Sequence, residues 1–176
     1  AVDFTALNAH RLGLANVVTY GSLGYDDVRS CAFDLIISNI PGKAGAPVIR
    51  ALLLGAQRYL AEGGIVAIVV VLPLEQSVLD LLTDPSIEVV LHQTTAAHAV
   101  FHYRFTAKPP NAGVGYGFEQ GTYDRGEVSF PLEGLAVPLR TAYGLPEFDT
   151  LRFETELLLK AYQDLNGTHP RHIIIF

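Results

Sequence analysis

The chain has 176 residues, 49% of them hydrophobic and only 17% charged, so it is long and apolar enough for one well-buried core with little disorder. A formal net charge of −6 and a pI near 5.4 argue against a strong electrostatic grip on a nucleic-acid backbone, which normally shows as a basic stripe, so an RNA target would need a local patch or another domain. The single cysteine, Cys31, excludes an internal disulfide, and no apolar run reaches the ~18 residues of a membrane span, which leaves a reducing, cytoplasmic setting as the expectation.

Residues 1–105 alternate helix and strand signals, the pattern of a parallel sheet covered by helices. Val2 and Asp3 read as the end of a strand, and residues 5–14 as a short helix closed by Gly13. Residues 16–20 read as the next strand, and residues 33–38 as a buried apolar strand that runs into Asn39-Ile40-Pro41-Gly42. Residues 46–60 place Val48, Leu52, Leu53, Ala56, Tyr59 and Leu60 at helical spacing, with Glu62-Gly63-Gly64 as the stop. The β-branched run 65–72 predicts a central strand buried on both faces, and residues 74–82 a short helix stopped near Pro85. Residues 87–91 and 99–105 then pair as the last two strands, with residues 92–98 as their connection.

Beyond them, residues 108–121 are rich in Gly and Pro without periodicity and read as a linker or exposed loop. Residues 126–130 and 135–139 predict a β-hairpin. A helix over residues 151–165 and an apolar strand over residues 171–176 close the series. The expected division is therefore residues 1–106, a linker over 107–124, and residues 125–176. The absence of Met, position 1 included, suggests a piece of a longer protein.

The order of these signals, with Ala1-Val2-Asp3 at the start, Phe33-Asp34-Leu35-Ile36-Ile37-Ser38-Asn39 before a Pro turn, Tyr59-Leu60 ahead of Gly63-Gly64, and the closing His98-Ala99-Val100-Phe101-His102-Tyr103, resembles the second half of a class I S-adenosylmethionine-dependent methyltransferase. Within that group it is similar to ribosomal-RNA guanine methyltransferases acting on an exocyclic amine. The resemblance covers roughly the first three-fifths of the chain and implies a Rossmann-like, doubly wound α/β sheet, mostly parallel with an antiparallel last strand, plus a small β-hairpin. It also implies an incomplete or permuted order: the family's first strand and Gly-rich loop are missing before Asp3, while residues 126–176 resemble the entry to such a domain. Tandem methyltransferase-like modules would explain this, as would a sheet completed by the strand at residues 171–176, and a homodimer is a further arrangement.

The resemblance assigns the candidate site. Asn39, held by the Pro41 turn at a strand's carboxyl end, would accept a hydrogen bond from the target amine; Asn39 and Pro41 are the catalytic candidates. Asp3 would receive the ribose hydroxyls of S-adenosylmethionine, with Phe4, Ser22, Leu23 and Asn39 completing the cofactor site. The family motif usually reads Asp/Asn-Pro-Pro-aromatic, so Ile40 and Gly42 depart from it, and the acid expected beside the adenine is absent unless Asp26 or Asp27 stands in. The structural alternatives are helix capping for both Asp3 and Asn39.

Other residues carry less. Lys43 and Arg50 could meet a phosphate or form a solvated face, and His92, His98 and His102 fit no zinc spacing, so no metal is expected. Asp124, Glu147 and Asp149 read as turn and capping residues. Two functions follow: a methyltransferase of an RNA base amine using S-adenosylmethionine, or a catalytically degenerate module that keeps the sheet for a structural or RNA- or protein-binding role. A nucleotide-binding oxidoreductase lacks its G-x-G-x-x-G fingerprint here.

Overall fold

The structure, a computed structural model, describes residues 1–29, 32–107, 116–132, 135–144 and 152–163. The expectations for Cys31, residues 147–149 and the strand at 171–176 lie outside these residues. The chain divides into two units, Ala1–Tyr123 and Asp124–Phe176.

In the first unit α1 (Val2–Arg11) opens the chain. The carbonyl of Ala1 accepts the backbone N–H of Thr5 at 3.0 Å, which closes a helical turn over Val2 and Asp3; these residues begin a helix rather than end a strand. Gly13, at φ 68°, takes the left-handed conformation that ends the helix, as its position in the sequence suggests. Residues 16–20 carry no ladder hydrogen bonds, so the strand expected there does not form: two apolar valines cannot make a strand without a neighbouring strand to pair with.

A four-stranded sheet follows, built from β1 (Phe33–Asn39), β2 (Leu60–Val71), β3 (Ile87–Thr94) and β4 (His98–Phe105) in the order β1-β2-β4-β3. β1 and β2 are parallel, paired from Leu35↔Ile65 to Asn39↔Val69, and β4 runs antiparallel to both β2 and β3. Three strands therefore point one way and the last in the chain points back, as the expected sheet does. Between β1 and β2 lies α2 (Ala46–Gly55), which passes into a 3₁₀ turn at Ala56–Arg58; between β2 and β3 lies α3 (Glu75–Leu82).

The helix predicted over residues 46–60 is shorter, and Glu62-Gly63-Gly64 belongs to β2 rather than to a helix stop. The reason is a shift in the β1–β2 ladder, from Phe33↔Leu60 to Leu35↔Ile65, that three additional β2 residues absorb. Gly63 takes φ 76° there, and a Cβ on Gly64 would come 2.8 Å from the Phe33 carbonyl oxygen, so only glycine allows this approach. β3 likewise extends to Thr94, beyond the expected end, and His92 joins the strand instead of the connection.

One face of the sheet holds the core. Ile40, Val66, Ile68, Val70, Ala99, Phe101 and Tyr103 are buried, together with Val48, Ile49 and Leu53 of α2 and Val78 and Leu82 of α3. The hydroxyl of Tyr103 reaches α2 and donates to the Leu53 carbonyl at 2.8 Å. At the far edge His92 stacks on Phe101 with ring centroids 4.4 Å apart, and its Nε2 lies 2.8 Å from Glu75 of α3. The opposite face is thinner: the alternate β2 residues Ile65, Ala67, Val69 and Val71 are only half-buried. Among the described residues β1 is an edge strand, with Leu35 50% and Ile37 74% exposed, so the buried apolar strand expected at residues 33–38 is not found there. α1 buries no residue, and its Phe4 is 73% exposed.

The second unit contains an antiparallel hairpin of β5 (Asp124–Leu132) and β6 (Leu135–Ala142), as the sequence suggests, and α4 (Phe153–Gln163). Asp124 accepts the backbone N–H of Gly126 at 2.8 Å and pairs with Arg140, and Arg125 lies 5.4 Å from the centroid of the Tyr143 ring.

Tyr103→Phe removes the bond to Leu53 and should lower stability by about 1 kcal/mol. Leu53→Ala, at a site with 0% exposure, should cost about 2–5 kcal/mol. Urea unfolding with an unchanged m-value would measure both, and equal losses would contradict the distinction drawn between bond and cavity.

Candidate active site

β1 ends at Asn39, where the pleat and the turn act together. The backbone N–H of Ile40 donates to the Val69 carbonyl at 3.0 Å and the Ile40 side chain is 2% exposed, so the strand's end is anchored on both counts. Successive side chains point to opposite faces; with Ile40 in the core, Asn39 is exposed on the other side. Among the described residues its amide has no hydrogen-bond partner.

Pro41 follows, and its carbonyl accepts the Ala44 N–H at 3.0 Å to close a turn; Gly45, at φ 81°, then caps α2. Asn39 therefore does not cap the helix, which begins seven residues later with a different N-cap. Gly42 lies against the end of β2, where a Cβ would meet Val71 Cγ2 at 3.3 Å. No ring projects from that position. Lys43 and Arg50 are exposed, and Arg50 adds a favourable charge near Asp84, whose carboxyl is held below the usual range chiefly by the Ser86 hydroxyl and backbone N–H.

Asp3 lies in the first turn of α1, whose N-cap is Ala1, so it is not a cap either. A negative charge there complements the helix dipole. Gly21 approaches Val2, its Cβ position 4.0 Å from Val2 Cγ2, which brings the start of α1 beside the turn that contains Ser22 and Leu23. Ser22 is occupied within that turn: its hydroxyl donates to the Gly24 carbonyl at 2.9 Å and accepts the Asp27 N–H at 3.1 Å. The approach of Gly21 to Val2 is the contact described between these two segments, and among the described residues no hydrogen bond joins Asp3 to Ser22, Leu23 or Asn39.

The turn is held to α2 by aromatic residues that the sequence reading passed over. The Tyr25 hydroxyl donates to the Leu52 carbonyl at 2.9 Å, and its ring stacks on Tyr59 with centroids 4.9 Å apart. Gly55 lets the helix come close to these rings: a Cβ there would stand 3.3 Å from Tyr25 and 3.4 Å from Tyr116. A tyrosine beside Asp26-Asp27 carries no distinguishing spacing, so only the packing reveals it. Residues 116–123, part of the expected linker, pack within this first unit.

A cavity of about 170 Å³ lined by Gln57, Leu60, Glu62, Gly63, Phe105 and Ala107 lies at the amino-terminal end of β2, at the opposite rim from Asn39. Among the described residues no group of three His, Cys, Asp or Glu side chains could hold a metal, and no helix is long and apolar enough to cross a membrane.

No protein-family profile and no curated protein matches the chain. Solved structures do. The ribosomal protein L11 methylase of Lactobacillus delbrueckii subsp. bulgaricus superposes with a TM-score of 0.50 at 20% identity, over 59% of this chain and 53% of that one. The T. thermophilus 16S rRNA N2 G1207 methyltransferase RsmC, solved in complex with AdoMet and guanosine, gives 0.57 at 19% identity, over 90% of this chain and 41% of that one. The chain has the class I methyltransferase fold in part. It spans about half the length of the first of these methyltransferases and two-fifths of the second.

Burial, and then the neighbouring Tyr59, push the Tyr25 phenol up to about 12 from its ordinary 10.0. The folded state holds that proton more tightly than the unfolded one, so the contribution is complete below pH 10 and is lost as pH rises toward 12. Burial of Tyr103 acts in the same direction. Alkaline unfolding should therefore remove on the order of 2 kcal/mol through Tyr25 alone, and Tyr25→Phe should flatten the slope. An unchanged slope in that variant would show that the Tyr25 proton does not contribute.

Proposed function

We propose that the chain is part of an S-adenosylmethionine-dependent methyltransferase that modifies an exocyclic amine of an RNA base. The observation that carries this reading is the exposed Asn39 amide, without a hydrogen-bond partner among the described residues, at the carboxyl end of an anchored parallel strand. Ligands of open α/β sheets bind at such ends. The likeness to an rRNA N2 methyltransferase solved with AdoMet and guanosine supports the choice of cofactor and of substrate class.

The residues present suit this chemistry in part. S-adenosylmethionine supplies an electrophilic sulfonium methyl. The Asn39 carbonyl oxygen accepts one N–H of the target amine, which turns the nitrogen lone pair toward the incoming methyl; the amine proton is released to water. No strong base is required, because positioning carries most of the rate enhancement. Pro41, through the turn closed on Ala44, holds the Asn39 backbone. Asp3, free of side-chain capping duty, would hold the ribose hydroxyls, and Phe4, Ser22 and Leu23 would complete the cofactor site; the Ser22 hydroxyl contributes by shaping its turn.

A second reading, a degenerate module with an RNA- or protein-placing role beside a tandem module or a second copy, is favoured by Gly42. With Val71 closing the space beside it, position 42 offers no aromatic ring on which a flipped base could stack.

Calorimetric titration with S-adenosylhomocysteine, beside Asp3→Ala, separates these readings: micromolar binding lost in the variant supports a working cofactor site, and its absence in a folded chain supports the degenerate module. Asn39→Ala should then lower methyl transfer to guanosine-containing RNA about 100-fold or more, far beyond any loss of cofactor affinity. A fully active variant would remove Asn39 from the mechanism.

A further inference from the structure

After β4 the chain returns to the turn at residues 22–28. Asp26 Oδ2 accepts the backbone N–H of Phe118 at 2.9 Å, a contact between residues 92 positions apart. The returning segment is itself closed by two bonds: Gly117 N–H donates to the Thr122 hydroxyl at 3.0 Å, and Thr122 N–H to the Gly117 carbonyl at 3.2 Å. Gly117 is buried, and its missing side chain is part of the joint. A Cβ there would collide with Asp26 Oδ1 and come 2.7 Å from Gln120 Oε1. On the other side the Tyr123 hydroxyl lies 2.7 Å from the Cβ position of Gly24, which at φ 60° also needs to be glycine. Burial first, and then the Asp26 carboxylate, raise the pKa of Tyr123. One oxygen of the Asp26 carboxylate is thus engaged by this segment.

We propose that Asp26 is a positioning residue: through Phe118 it straps residues 116–123 across the turn at residues 22–28 and so holds Ser22 and Leu23 in the shape that receives the cofactor. This rests on the cofactor reading above. Ser22 is bonded to both Gly24 and Asp27, the residues on either side of Tyr25 and Asp26, so loss of the strap is felt directly at Ser22.

Three variants separate positioning from general support. Asp26→Ala removes the acceptor. Asp26→Asn keeps a side-chain oxygen for the Phe118 N–H. Gly117→Ala leaves Asp26 in the sequence but displaces its carboxylate, at little cost to a backbone whose φ is not in the left-handed region. Hydrogen exchange on the 176-residue chain is the first readout. Asp26→Ala and Gly117→Ala should speed exchange at residues 22–28 and at Phe118 about tenfold or more, Asp26→Asn should stay near wild type, and the amides of β2 and β4 should not change in any of them. Unchanged exchange at the turn in Asp26→Ala would overturn the strap.

The second readout is S-adenosylhomocysteine affinity. It should fall about tenfold in Asp26→Ala and Gly117→Ala and be retained in Asp26→Asn. A loosened turn with unaltered affinity would overturn the positioning role. If the wild-type chain binds no S-adenosylhomocysteine, the functional reading fails and the positioning role with it, while exchange still decides whether the strap exists.

Discussion

The alternation of side chains along β1 is the constraint on which the site depends. Ile40 is drawn into the core beside Val66, Ile68 and Val70 and is tied to Val69 through its backbone. A slip of one residue would send Ile40 to solvent and Asn39 into an apolar face, where an unpaired amide costs several kilocalories. Burial on one face therefore sets the position of the polar group on the other. The Phe101 and Tyr103 rings of β4, with the Tyr103 hydroxyl on α2, hold the same face together from the next strand but one.

The same sheet has an uncovered side. In the pleat, Leu35, Ile37 and Asn39 share a face and turn their backbone groups away from β2, so among the described residues β1 has an unpaired edge and an apolar surface. The apolar side chains of α1 are uncovered as well, from Val2 at 39% exposure to Phe4 at 73%. Parallel pairs such as β1–β2 are ordinarily covered on both faces. Asn39 stands at the end of this edge, so whatever covers it bears directly on the candidate site.

The loop side of the molecule follows a different logic. It uses few apolar contacts and many directed ones: Ser22 within its turn, Tyr25 to the carbonyl of α2, Tyr59 back to the Tyr25 carbonyl at 3.3 Å, and Asp26 to a segment more than ninety residues away. The glycines at 24, 55 and 117 stand where these side chains come closest. Such a loop keeps its shape only while each bond is made.

The alternating helix and strand signals were enough to place β1, β2, α3, β4 and the hairpin, because their periodicity reflects burial that is local to each element. The Asn39-x-Pro41 turn was legible for the same reason, since a strand that ends in Asn and Pro leaves few conformations open. Residues 16–20 were misread because a strand exists only when another strand takes its hydrogen bonds, and that partner is not encoded in the five residues themselves. Glu62-Gly63-Gly64 looked like a helix stop because glycine marks any unusual backbone; only the β1–β2 register shows that here it serves a ladder shift. Asp26 is the clearest case of a tertiary decision. Its hydrogen bond to Phe118 exists only because the chain returns ninety-two positions later with a glycine and a backbone N–H at that point.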